Sequence, residues 1–140
     1  MEDFIKFEEV WNDPDCIELS ITCSSKVITA STNIYVCNEL IDNLSELIKQ
    51  LITGQSREIY WQNHQKCDVG VPCVSFRIFA DKIGHVKIEV YMELDDGGKL
   101  NEHNCCFYIN SELGLLEAFC KKLPKLKQRN IGTCIVLNEV

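Results

Sequence analysis

The chain has 140 residues, 46% of them hydrophobic and 25% charged, with a formal net charge of −7 and nine cysteines. That length suits one domain with its own core, and the composition excludes a disordered chain. The apolar runs fall far short of the ~20 residues that span a bilayer, and the negative balance repels a phosphate backbone, which argues against direct nucleic-acid binding.

The opening Met1-Glu2-Asp3 is acidic where a secretory signal would be basic and then apolar. The cysteines fall inside periodic segments, as small buried hydrophobes do. With no export signal, the expectation is reduced thiols and a cytoplasmic protein. Phe4 to Trp11 mixes apolar and charged residues and stops at the turn cluster Asn12-Asp13-Pro14-Asp15. Ile17, Leu19 and Ile21 then alternate with polar residues, and beyond Ser24-Ser25-Lys26 so do Ile28, Ala30, Thr32, Ile34 and Val36. This two-residue period predicts an antiparallel meander.

The period changes at Leu40. Leu40, Ile41, Leu44, Leu47, Ile48 and Leu51 form one stripe of a helix, with Asn38 as the expected N-cap and Gly54 at the stop. Strand character returns at Glu58 to Trp61, and Gln62 to Val71 reads as a polar loop. Val74, Phe76, Ile78 and Ala80 predict one strand, and Val86, Ile88, Val90, Met92 and Leu94 a second with one face in water. After the turn at Asp95-Asp96-Gly97-Gly98, Cys105 to Ile109 supplies its partner. Asn110 or Ser111 is expected to cap a second helix with Leu113, Leu116, Phe119, Cys120 and Leu123 inward, which Pro124 ends or kinks. Ile131 to Leu137 is a final short strand. The order βββαββββα(β) predicts an α+β fold, an antiparallel sheet of about seven strands with two packed helices. Nothing divides the chain, so a single domain spans 1–140.

Motifs that report chemistry are missing: there is no phosphate-binding glycine loop, nucleophile elbow, zinc helix, calcium loop or Cys-x-x-Cys pair. His64, Cys67 and Cys73, with Asp68 nearby, could contribute to a zinc site, but the spacing is non-standard and no fourth ligand stands out. A polar loop with incidental cysteines is the simpler reading. His103 lies near Cys105 and Cys106 without a group to orient its ring. Lys121, Lys122, Lys125, Lys127 and Arg129 complement a helix C-terminus. No catalytic residue, metal or cofactor is therefore assigned. The carboxylates fall in two groups, Asp13, Asp15 and Glu18 around the first turn and Glu89, Glu93, Asp95 and Asp96 on the solvent face and turn of the strongest hairpin. These seven are the candidate partner-binding residues, because exposed charge steers a basic partner.

Asp15-Cys16-Ile17-Glu18-Leu19-Ser20-Ile21, then Ile34-Tyr35-Val36 and the Leu40 to Leu51 helix, make up the first half of a recognisable order of elements. Gly84-His85-Val86-Lys87-Ile88-Glu89-Val90 and Phe107-Tyr108-Ile109, leading into Leu113-Gly114-Leu115-Leu116-Glu117-Ala118-Phe119, make up the second. Together they resemble small bacterial immunity proteins of contact-dependent and wall-associated toxin systems. The likeness lies in the pattern of elements across most of the chain. It implies a cytoplasmic antitoxin that binds a cognate toxin domain, often a basic nuclease, and occludes it without catalysis. Two other readings stand beside it, a small-ligand-binding α+β module and a Cys/His-site enzyme or zinc protein. A further one is a homo-oligomer burying Trp11, Tyr60 or Trp61 between subunits.

Overall fold

Alternation every two residues puts the apolar side chains of each strand on one face, and those faces meet in a common core. The computed structural model describes residues 3–64, 71–95, 97 and 102–138. Strands β1 (Phe4–Asn12), β2 (Ile17–Ser24) and β3 (Thr29–Val36) lead into helix α1 (Asn38–Ile52). Strands β4 (Glu58–Gln62), β5 (Val74–Ala80), β6 (His85–Glu93) and β7 (Asn104–Glu112) follow. Helix α2 (Leu113–Lys122) then runs into a 3₁₀ segment, Leu123–Gln128, before β8 (Cys134–Leu137). The class is α+β, in the predicted order of elements.

The strands divide into two antiparallel sheets of four, ordered β3-β2-β1-β8 and β4-β5-β6-β7. Periodicity identifies a strand's faces but not its partner. Only the return of β8 to β1, pairing Ile5 with Leu137 and Phe7 with Ile135, completes the first sheet. Phe7 ties the layers together. Its ring lies 6.1 Å from that of Phe76 on β5 and meets Phe119 of α2 edge-on at 5.3 Å.

Helix α1 buries Ile41, Leu44, Ile48 and Leu51 as its stripe requires. Its N-cap is Cys37 and not Asn38. The Cys37 carbonyl accepts from Leu40 and Ile41, while the Asn38 side chain is engaged by Arg129 at 3.0 Å. Gly54 ends the helix at φ +79°, a left-handed geometry that suits glycine. The N-cap of α2 is Glu112, so neither Asn110 nor Ser111 caps it. Both remain in β7, where Ser111 Oγ donates to Asn138 Oδ1 at 2.6 Å and the Asn110 amide donates to Asp3 at 2.8 Å. With Pro124 at its start, the following turn tightens into the 3₁₀ segment, which keeps Leu123 and Leu126 buried.

Among the described residues no helix is long and apolar enough to cross a membrane. The eight described cysteines are unbridged thiols.

Candidate functional site at the edge of the first sheet

Strand parity in β1 places Ile5, Phe7 and Glu9 inward. Continued unchanged, it would also bury Trp11. Instead a β-bulge falls between Glu9, which faces Leu19, and Trp11, which faces Glu18. The extra residue, Val10, reverses the parity and turns Trp11 onto the outer face. Glu18 in turn faces Tyr35 on β3. Trp11, Glu18 and Tyr35 therefore form one row across three strands. The two rings meet edge-on at 6.3 Å and stay 43% and 45% exposed. Asn33 Nδ2 donates to Glu18 Oε2 at 2.9 Å and fixes the carboxylate beside them.

The row borders a groove of about 720 Å³ that follows the outer edge of β3. Glu18, Asn33 and Tyr35 of the first sheet line it together with Leu94 and Asp95, which follow β6, and Cys105 of β7. Strand β3 is the end of its sheet, paired with β2 without a break from Ile17–Val36 to Ser24–Thr29. Its residues, Thr29 to Val36, include no charge and no proline, the usual protections of an edge. The other edges differ. Strand β8 has four residues, and β4 lies against α1, with Trp61 Nε1 donating to Leu40 O at 3.0 Å. Strand β7 is closed at Asn110 by the side chains of Asp3 and Asn138.

The candidate carboxylates meet different fates. Glu18 and Asp95 both line the groove, and Asp95 also accepts from the Gly97 amide at 2.8 Å. Asp13 is a turn residue: the Cys16 and Asp15 amides each donate to it at 2.8 Å and hold its carboxyl below the usual aspartate range. Asp15 is exposed in that turn. Glu89 is engaged within the second sheet by Arg77 Nε at 3.8 Å and by the Tyr108 hydroxyl at 2.7 Å. Glu93, expected on the solvent face, is 0% exposed. It accepts from the Cys73 amide at 2.9 Å and the Tyr91 hydroxyl at 3.0 Å, because the chain entering β5 covers the end of β6. Asp96 lies outside the described residues.

Cys67 and Asp68, weighed with His64 and Cys73 as zinc ligands, also lie outside the described residues. His64 Nε2 is 2.8 Å from Pro72 O, and Cys73 Sγ donates to His64 O at 3.1 Å. Among the described residues no group of three potential metal ligands forms. Cys105 faces inward from β7 while Cys106 faces out. Burial, with the Cys106 thiol adjacent, pushes the Cys105 thiol up, the opposite of an activated nucleophile. Trp61, considered as an oligomer contact, is buried. Between the sheets, the space lined by Ile5, Phe7, Phe76 and Phe119 is about 10 Å³, too small for a ligand. The basic cluster is structural in part, since Lys127 reaches Asp42 at 2.6 Å and Arg129 reaches the Asp13 carbonyl at 3.1 Å.

Glu18 and Asp95 are legible in the sequence as candidate contacts and Trp11 as an exposed ring, whereas the place of Tyr35 beside it and the groove are not. The bulge that exposes Trp11 carries no glycine or proline signal. A scan against protein-family models finds no match, and searches of curated proteins and of solved structures find none.

Proposed function

We propose that this chain works by binding another protein, as an immunity protein that neutralises a basic toxin domain by occluding it. The observation that carries this reading is the groove along the β3 edge, a strand with no charge and no proline, with carboxylates at Glu18 and Asp95 and exposed aromatic rings beside it. An open strand edge offers backbone hydrogen bonds to an extended segment. Aromatic residues supply contact area at little entropic cost, and acidic residues steer a cationic partner. Such a surface acts without a reacting group, in keeping with a net charge of −7. The groove is open and polar along one side, which suits a polypeptide better than an enclosed small ligand.

The test is direct. If the reading holds, the gene beside this one encodes a secreted protein with a toxic C-terminal domain. That domain should co-purify with this chain and lose its toxicity. Charge reversal at the groove, Glu18→Lys with Asp95→Lys, should weaken the complex and steepen its loss with salt. A neighbouring toxin domain that remains toxic and unbound in the presence of the chain removes the proposal.

A further inference from the structure

Resting on the protein-binding reading above, we infer that Trp11, Glu18 and Tyr35 form a receptor for a guanidinium group, an arginine side chain presented by the partner. Three features converge on it. The bulge at Val10 places a tryptophan outside the core, where it is 43% exposed and packs edge-on against Tyr35. The Tyr35 ring meets the Trp11 ring edge-on at 6.3 Å, so the two present one aromatic surface, and Glu18 lies on the strand between those that carry the rings. Asn33 holds one oxygen of Glu18, which orients the carboxylate and reduces the entropy lost on pairing.

The molecule contains the filled counterpart of this arrangement. On the second sheet Arg77 lies over the Tyr60 ring at 4.7 Å while its Nη1 donates to Glu58 at 2.7 Å. Lys87 lies over Tyr108 at 5.7 Å, and Tyr108 donates to Glu89. Ring, carboxylate and cation thus occur together twice on that face. The first sheet has rings and carboxylate, and among the described residues no cation of the chain occupies the row. Arginine fits better than lysine, because its planar fork can stack on a ring while donating to a carboxylate.

Binding can be read without knowing the partner. The chain has two tryptophans, and the buried one, Trp61, is an internal control. A short peptide of Gly and Thr with one central Arg, titrated to millimolar concentration, should shift the indole N–H resonance of Trp11 and leave that of Trp61 in place. The same peptide with citrulline should have no effect, and the Lys peptide should bind more weakly. Glu18→Gln and Tyr35→Leu, both at exposed or half-exposed positions, should each weaken the response about tenfold, the scale of a partly desolvated cation–π or ion-pair contact. Equal shifts from the citrulline or Lys peptide, or a response indifferent to Glu18→Gln, overturn the receptor. So does silence at Trp11. In the toxin-domain experiment the two ideas separate: a complex that forms normally with Trp11→Ala and Glu18→Gln keeps protein binding and discards the arginine receptor.

Discussion

Phe7 of β1 stacks on Phe76 of β5 with ring centroids 6.1 Å apart, and this contact joins the two sheets. The geometry matters because the groove lies between the same sheets, so its width depends on the packing that Phe7 maintains.

Phe7→Ala is therefore expected to destabilise the protein by about 3–5 kcal/mol, the usual cost of deleting a buried aromatic ring and leaving a cavity. Urea unfolding followed by fluorescence measures it. A loss below ~1 kcal/mol would mean that the sheets do not depend on this contact.

Glu93 is buried and accepts from the Cys73 amide. Glu93→Ala leaves that buried donor without its acceptor and is expected to cost about 1–3 kcal/mol. Glu93→Gln keeps an acceptor and should lose less. Equal losses for the two variants would show that the hydrogen bond is not what stabilises the end of β6.

Glu9 is the other buried carboxylate. Asn12 donates to its Oε2 at 2.9 Å, while Oε1 has no partner among the described residues. Burying a charge with half its acceptors unmet is unfavourable. Glu9→Met keeps the approximate volume and removes the unmet acceptor, while the Asn12 amide still donates to the Arg129 carbonyl at 3.1 Å, so a gain of about 1 kcal/mol in unfolding free energy is expected. A comparable loss would refute this account.

Asp13 sets a pH dependence of known sign. Amide donors lower its pKa in the fold, so the ionised form is favoured there over the unfolded chain. The stability it provides is fully present above the unfolded value near 3.8 and disappears as pH falls through the lower folded value. Asp13→Asn keeps the oxygen acceptor and cannot titrate. The advantage of the native protein over this variant should shrink as pH falls below that value, and parallel stability curves would contradict the assignment.

Thiol reactivity should follow burial. Cys23 is fully buried, and desolvation pushes its thiol well above the ordinary range, so it should resist alkylation in the folded state. Among the described cysteines the exposed Cys106 and Cys134 should be labelled first, as mass spectrometry of the folded protein can show. Early labelling of Cys23 would indicate that the first sheet opens readily.

Local periodicity is enough to set the elements and their inward faces. Alternation from Val86 to Met92 and the three- and four-residue spacing from Leu40 to Leu51 are local patterns, and neighbouring residues satisfy them without reference to the rest of the chain. The division into two sheets, the burial of Glu93 and the outward turn of Trp11 were decided by tertiary structure. Each depends on residues far apart in sequence: β8 returning to β1, Cys73 covering Glu93, and a one-residue bulge against β2. Charge was legible, but its availability was not. Glu89 and Glu18 look alike in the sequence, yet only the fold places Arg77 beside one and sets the other in a row with Trp11 and Tyr35.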